Sequence, residues 1–389
     1  MASVRVAAFF SYAFRPFFLL NGVFAVLAIA LWVLVLHGAG PLSLPADKLM
    51  WHAHEMMLGF AMAAIAGFVL TAVATWTDRV PVSNGRLGLL VAAWLVGRVA
   101  MALAGVLPEW QVAFVDMLFP LLLIVLVAQE IIGGGSQRNY PIIVITILLA
   151  LFNLLYHVGV YVGIPTAKRI AVYLLISLVL LLITVIAGRI VPSFTANWMR
   201  ARGLARPPRN HVVTDRITIL LTIAAGLAIS LWPAAGATGI IAALAGFAHA
   251  VRLSRWRGLA TVSEPLLFVL HVAYLWLPIG YALTAVSILS SWLPPTAALH
   301  ALTMGAIGSM VLAVTTRVAL AHTGRPLHAA RLTVVAYFVL TLAILVRVLS
   351  PLIGLEYLLL IDVSALGWIL SFAIFSWVYW TVLTQPRVE

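Results

Sequence analysis

The chain contains no cysteine, and this absence excludes several kinds of chemistry at once. Disulfides, iron–sulfur clusters, thiolate-ligated haem and covalent haem attachment through Cys-x-x-Cys-His all need cysteine sulfur. Any metal or haem chemistry must therefore rely on the ten histidines, the ten methionines and the few acidic side chains.

Charged residues are also scarce. They make up 9% of the 389 residues, against 64% hydrophobic residues, which places the chain outside the range of soluble globular domains. Apolar runs of about 17 to 25 residues recur, the length that crosses a bilayer as a helix. The sequence predicts an all-α polytopic membrane protein with one transmembrane domain over 1–389. The expected helices cover 16–37, 51–76, 86–106, 110–132, 140–161, 168–192, 215–233, 235–252, 263–290, 295–320, 331–350 and 355–383.

Basic residues are concentrated on every second connection between these helices. The opposite side has only Lys48, Lys168 and Arg169, so the positive-inside rule places both termini in the cytoplasm. This distribution explains the net charge of +12 without a nucleic-acid partner. The first helix lacks a small-residue cleavage site and is expected to be retained. The basic side carries Arg5, Arg15, Arg79, Arg86, Arg138, Arg200, Arg202, Arg206, Arg209, Arg216, Arg252, Arg255, Arg257, Arg325, Arg331 and Arg387.

The segment Trp51-His52-Ala53-His54-Glu55-Met56 begins the second helix with several side chains able to bind metal or protons. Residues two apart in a regular helix point about 200° away from each other, so His52 and His54 are expected to serve different centres. In an extended segment both would bind one ion. In a helix, His52 shares a face with Glu55 and Met56, which together with a histidine from another helix would suit copper or iron, and His54 faces elsewhere.

Histidines on other helices fall at the same predicted depth. His157 is a ligand or a proton carrier at that level, and His300 is the expected partner of His54 on a haem iron if helices two and ten are neighbours. The alternative for any single membrane histidine is a hydrogen bond to a neighbouring helix. The histidines at this outer level are His37, His52, His54, His157 and His300.

Helices two, six and ten show a weak internal repeat, because each places a polar residue six positions before a threonine. Helices two and ten also share His-x4-Gly, at His54 and at His300. Three parallel four-helix repeats would explain both patterns, and chance similarity is the alternative. The arrangement is similar to the twelve-helix haem-copper oxidase subunit, an analogy of fold only. The matching helix ends are Thr71 to Thr77, Arg189 to Thr195 and Arg317 to Thr323.

The opposite face carries arginines suited to an anion. Arg189, Arg317 and Arg325 are candidate contacts for haem propionates, with lipid phosphates as the alternative, and His322 is a further candidate metal ligand.

One helix carries a second possible site near that face. His271 and Tyr274 share a helical face, with Glu264 two turns away, and predict either a second metal site or a proton path. Four other intramembrane charges are expected to form two pairs across helix hairpins, Arg98 with Asp116 and Arg347 with Glu356.

Seven motifs spread along almost the whole chain resemble the NnrS family. The resemblance implies a twelve-helix protein of the bacterial inner membrane, with haem and copper, linked to nitric oxide, nitrosative stress and denitrification. Nitric oxide as substrate is implied by this resemblance and not by composition. The motifs are Ser11-Tyr12-x-Phe14-Arg15-Pro16-Phe17-Phe18, Trp51-His52-Ala53-His54-Glu55-Met56, Arg189-x2-Pro192-Ser193-Phe194-Thr195-x-Asn197-Trp198, Arg252-Leu253-x2-Trp256, Leu270-His271-x2-Tyr274, His300-Ala301-Leu302-Thr303-x-Gly305-Ala306-x-Gly308-x-Met310 and His322-Thr323-Gly324-Arg325-Pro326-Leu327.

The leading hypothesis is a nitric oxide reductase-type oxidoreductase that forms nitrous oxide at a haem paired with a second metal. The haem would be of b type and non-covalent, and the second metal copper or non-haem iron. Glu55 and Tyr274 are the candidate catalytic residues, with Glu55 relaying protons. Electrons would come from a quinol or a redox protein. The alternatives are a non-catalytic haem protein that binds nitric oxide and a transporter of a metal or a nitrogen oxide. The oligomeric state stays open.

Overall fold

A computed structural model describes residues 2–41, 43–209, 211–290 and 292–388. Over these residues it is helical and without strands, and twelve helices are long and apolar enough to cross a membrane. They confirm the predicted fold class and are called spans 1 to 12. The membrane side of each terminus stays a prediction. The spans are Phe14–Leu36, Lys48–Thr77, Asn84–Ala102, Glu109–Gly133, Gln137–Tyr161, Pro165–Ala201, Val212–Leu231, Gly236–Ser254, Pro265–Ser290, Pro295–His322, Arg331–Leu352 and Tyr357–Thr384.

Two boundaries show how proline acts in this chain. Span 7 ends at Leu231 and span 8 begins at Gly236, so the apolar runs on either side of Pro233 are separate helices, as predicted. Span 6 was predicted to end at Pro192 but continues to Ala201. That prediction was wrong, because a proline inside a helix removes one backbone hydrogen bond and does not always end the helix.

The chain packs as two compact units. Unit 1 comprises Met1–Leu175, Val318–Pro326 and Phe372–Glu389, and unit 2 comprises Ile176–Arg317 and Leu327–Ser371. The expectation of one transmembrane domain over 1–389 stays a prediction.

Spans 2 and 10 each contain a π-helical segment, and each segment begins directly after a histidine. Glu55–Ala61 follows His54, and Ala301–Gly308 follows His300. Such wide turns are rare and are frequently found at functional sites. The two segments are a structural counterpart of the shared His-x4-Gly pattern, and they support an equivalence of spans 2 and 10. The threefold repeat itself stays a prediction.

Side chains from neighbouring spans satisfy carbonyl groups of the first π-helical segment. Asn21 Nδ2 donates to the carbonyl of Phe60 at 2.5 Å, and Trp94 Nε1 donates to the carbonyl of Gly59 at 3.1 Å. Carbonyls inside the hydrocarbon region need partners within the protein, because water is absent there. These two bonds therefore fix the wide turn beside His54 to spans 1 and 3.

We expect Trp94→Phe to destabilise this turn. The substitution keeps a large aromatic ring but removes the donor to Gly59, and a lost hydrogen bond to a buried group costs about 1 kcal/mol. Thermal unfolding in detergent should show a lower Tm than wild type. Trp110→Phe is the control, because Trp110 is 62% exposed, and it should leave the Tm unchanged. Equal Tm values for both variants would contradict the proposed role of the bond.

Candidate functional site

Six polar side chains from spans 2, 3, 4 and 5 meet inside unit 1. Each is at most 7% exposed, which is unusual for such groups unless they are paired. We call them the buried polar network. Its members are His54, Glu55, Arg98, Asp116, Asn153 and His157.

His54 is fully buried, and oxygen atoms lie against both of its ring nitrogens. Nδ1 lies 3.1 Å from Glu55 Oε1, while Nε2 lies 2.9 Å from Asn153 Oδ1 and 3.3 Å from Asp116 Oδ2. The prediction that His54 faces away from Glu55 is therefore wrong. A histidine whose two nitrogens both face acceptors satisfies them fully only when both nitrogens carry hydrogen.

Asp116 is the centre of the network. Its Oδ2 accepts from Asn153 Nδ2 at 2.7 Å and from His157 Nε2 at 2.9 Å, and its Oδ1 pairs with Arg98. Arg98 also pairs with Glu55, so one guanidinium joins two carboxylates. The predicted pairing of Arg98 with Asp116 across the hairpin is confirmed, but the pair belongs to a larger site.

The network carries a formal charge of −1 when both histidines are neutral, because it holds two carboxylates and one guanidinium. An uncompensated charge is costly in the hydrocarbon region. A proton shared by His54 and its neighbours neutralises the network, and so does a bound metal cation. The arrangement can therefore hold either one.

Three members of the network offer metal-ligating atoms at close range. One ligand atom from each of His54, Asp116 and His157 lies within 4.8 Å of the other two. Two imidazole nitrogens with one carboxylate oxygen form a donor set typical of non-haem iron, and imidazole also suits copper. Binding at His54 Nε2 would require Asn153 Oδ1 to turn away, which makes Asn153 a positioning residue of this site.

His52 lies in different surroundings from His54. Its ring stacks on Trp32 with centroids 4.3 Å apart, and the side chain is partly exposed. The two histidines thus occupy separate environments, as the helical geometry predicted. The predicted grouping of His52 with Glu55 is not supported, since the Glu55 carboxylate pairs with His54 and Arg98.

His300 belongs to unit 2 and is oriented by its own helix. Its Nδ1 donates to the carbonyl of Thr296 at 2.7 Å. A histidine fixed in this way has Nε2 as its free lone pair, the arrangement common in metal and haem ligands. Because His54 belongs to unit 1, their predicted pairing on one haem stays a prediction.

The second predicted site divides into two sets of contacts in unit 2. His271 Nε2 lies 2.9 Å from Thr195 Oγ1, and the hydroxyl of Tyr274 lies 2.9 Å from His249 Nδ1. His249 also contacts Thr222 Oγ1 at 3.0 Å. Tyr274 therefore pairs with a histidine of span 8 that sequence reasoning did not select.

Arg252 links Tyr274 to an acidic residue nearer the helix end. Its Nη1 donates to the Tyr274 hydroxyl at 3.1 Å and to the carbonyl of Thr184 at 2.7 Å, and its Nε pairs with Asp215 at 2.7 Å. Arg252 stays protonated and orients the Tyr274 hydroxyl, and the contact of that hydroxyl with His249 suits proton transfer.

The predicted anion contacts are distributed over both units. Arg317 lies over the ring of Phe194, 4.5 Å from its centroid, and Arg189 is exposed, both in unit 2. Arg325 belongs to unit 1, together with His322.

The other predicted hairpin pair takes different partners. Arg347 donates to Ser350 Oγ at 3.3 Å and to the Tyr357 hydroxyl at 3.2 Å, in place of the predicted pair with Glu356. The neighbouring tyrosine and serine satisfy the guanidinium without a carboxylate.

From the sequence, Arg98 and Asp116 were expected only to pair with each other, and Asn153 was not selected as a site residue. One signal was available, since an ionisable residue inside a transmembrane helix marks a functional position by default. Arg98 and Asp116 lie in the outer halves of their predicted helices, as His54 and His157 do.

Comparison with known proteins agrees with this architecture. The family described as NnrS protein matches residues 8–387 of the 389-residue chain. No curated protein matches the chain. A match of this extent confirms the resemblance carried by the seven motifs, and it indicates a membrane protein related to nitric oxide. The chain belongs to the NnrS family.

Proposed function

We propose that this protein reduces nitric oxide to nitrous oxide with the help of a haem and a second metal. In this reaction two nitric oxide molecules, two electrons and two protons give one nitrous oxide and one water. The observation that carries the proposal is the set of donors on His54, Asp116 and His157, which lie within 4.8 Å of one another in a buried site of negative formal charge.

The second metal, copper or non-haem iron, would be held by His54, His157 and Asp116. The donor types fit either ion. Asn153 and Arg98 orient Asp116, as supporting residues orient ligands in metal sites. When bound, the haem and the second metal would hold nitric oxide and supply it with electrons.

His300 is a better candidate haem ligand than His54. Its Nδ1 is committed to Thr296, which leaves Nε2 for an iron, whereas both nitrogens of His54 already have partners. His54 is therefore assigned to the second metal in unit 1, and His300 is the candidate haem ligand in unit 2. Arg317 lies 17 positions after His300 in span 10, about 25 Å along the helix, which is too far for it to hold the propionates of a haem on His300.

Protons would pass through residues of the buried polar network. Glu55 Oε1 accepts from His54 Nδ1, and Arg98 fixes the same carboxylate. Glu55 is thus placed to hold a proton beside a metal ligand. Tyr274, in contact with His249 and oriented by Arg252, is the second proposed proton carrier. Nitric oxide dissolves in lipid, so a site enclosed by apolar side chains does not prevent its access.

His54→Gln and His157→Gln should each lower metal affinity by roughly 10- to 100-fold or more, because each removes one of three ligands. His52→Gln is a close control, since it lies two residues from His54 and stacks on Trp32. Bound metal is measured by elemental analysis of purified protein. Metal affinity should also rise with pH, because the metal and the proton compete for His54.

Turnover is measured separately, as anaerobic nitrous oxide formation with a chemical reductant. Wild type should form nitrous oxide, and the His54 and His157 variants should lose most of this activity while His52→Gln keeps it. A colourless wild-type protein without metal, or full metal content in both ligand variants, would contradict the proposal.

The charge of the network favours transport as the second candidate function. A site of formal charge −1 that accepts either a proton or a metal ion also suits proton-coupled transport of a cation. Uptake of copper or iron into proteoliposomes, without nitrous oxide formation, would favour this candidate. A spectral response to nitric oxide without turnover would favour a haem protein that only binds the gas.

A further inference from the structure

Three chain segments meet at one end of unit 1. The ring of Tyr12, just before span 1, lies 6.0 Å from the ring of His322 at the end of span 10. Beyond the end of span 12, the amide of Val388 donates to the carbonyl of Thr323 at 3.0 Å. Successive spans cross in opposite directions, so the start of span 1 and the ends of spans 10 and 12 share one membrane face.

Positive charge accumulates where these segments meet. Arg15 is 3% exposed, and Arg325 lies close enough to repel it. The positive charge of Arg387 lies close enough to interact electrostatically with Tyr12 and with His322. We call Tyr12, Arg15, His322, Arg325 and Arg387 the basic corner. Its charge is that of three arginines.

Among the residues that the structure describes, no ion pair joins Arg15, Arg325 or Arg387 to a carboxylate. Arg15 Nη1 donates to neutral carbonyls, those of Leu383 at 3.1 Å and Gln385 at 2.5 Å.

Arg325 carries the strongest sign of a missing partner. Its Nη1 is buried and has no hydrogen-bond acceptor in the described part of the chain. A buried donor of a charged group is costly when it is left unbonded. Burial also lowers the pKa of Arg325, since the charged form loses hydration without gaining an anion. An anion at this position would remove both costs.

We propose that the basic corner binds a phosphate group. Guanidinium groups bind phosphate oxygens through paired N–H donors, and Tyr12 and His322 add further donors at the rim. The corner lies at the ends of three spans, the level at which phospholipid headgroups are found. The phosphate belongs either to an anionic phospholipid or to a soluble phosphate, and the two sources are separated by experiment.

The test measures the Tm of the full-length protein in a phosphate-free maltoside detergent. Dioleoylphosphatidylglycerol, inorganic phosphate and dioleoylglycerol are added in separate titrations. A ligand that binds only the folded state raises the Tm, here by roughly 3 °C or more near saturation. We expect this rise with at least one of the two phosphate compounds and none with dioleoylglycerol. A response to the lipid alone identifies a headgroup, and a response to inorganic phosphate identifies a soluble ligand.

Arg325→Gln is the decisive variant, because Nη1 of Arg325 has no protein partner to lose. It should fold with a basal Tm at or above that of wild type, because an unbonded buried donor is removed, and it should lose the phosphate-dependent rise. Arg138→Gln, at an exposed arginine, should keep the rise. Arg15→Gln is less informative, since Arg15 also fixes the C-terminal segment.

Three results would overturn the assignment. The first is no response of wild type to either phosphate compound. The second is an equal response to dioleoylglycerol, and the third is an undiminished response of Arg325→Gln. None of these results depends on nitric oxide reduction, so this assignment and the proposed function stand or fall separately.

Discussion

Arg98→Met should prevent the protein from accumulating in its folded form. Arg98 is the one guanidinium of the buried polar network and pairs with both Glu55 and Asp116. Its loss changes the formal charge of the network from −1 to −2 within the membrane. Removing one partner of a buried ion pair typically costs about 3 to 5 kcal/mol, a large part of the stability of a domain. Fluorescence-detected size-exclusion chromatography should show little monodisperse protein.

A second substitution tests the physical reason for this loss. Asp116→Asn added to Arg98→Met returns the formal charge to −1 and should recover part of the folded protein. Arg138→Met, at an exposed arginine, is the control and should behave as wild type. If Arg98→Met folds with a wild-type Tm, the network does not need its cation. If the double variant is worse than the single one, charge compensation is the wrong explanation.

Gly188→Ala should disrupt the polar contacts of unit 2. A Cβ atom added at Gly188 would overlap the guanidinium of Arg252. That side chain cannot move freely, because it is 3% exposed and bonded to Asp215, Thr184 and Tyr274. Overpacking of this kind typically costs about 1 to 3 kcal/mol, and broken contacts of Arg252 add to it. We expect a Tm several degrees below that of wild type.

Gly236→Ala is the matched control, since the space around Gly236 is open and its backbone conformation accepts any residue. Its Tm should equal that of wild type. A wild-type Tm for Gly188→Ala would contradict this expectation. It would show that the Arg252 side chain can shift without loss of stability, so its contacts with Asp215 and Tyr274 would not be fixed in position.

The sequence by itself determined the number of spans and most of their limits. Long apolar runs can only be satisfied as membrane helices, because every backbone polar group needs a partner in hydrocarbon. Span 6 was the exception, because a proline signal does not show whether a helix continues on its far side. The motifs from Ser11 to Leu327 are specific enough to indicate the NnrS family from the amino-acid sequence alone.

The tertiary structure decided which of the polar residues share a site. Helical periodicity predicted different surroundings for His52 and His54, but it grouped Glu55 with His52, whereas the Glu55 carboxylate contacts His54. Two neighbouring side chains on a helix diverge by about 100°, yet both reach inward when a partner lies between them. Here Arg98 and Asp116, from two other spans, supply that partner.

Periodicity describes one helix at a time, whereas the contacts of the site join different helices. His54 meets Asn153, which lies 99 positions away, and Asp116 meets His157 across 41 positions. The twelve spans follow from the hydrophobic effect acting on each segment alone. The metal-ligating donors come together only through the packing of spans 2, 3, 4 and 5, where buried charges must find one another because the membrane offers them no water.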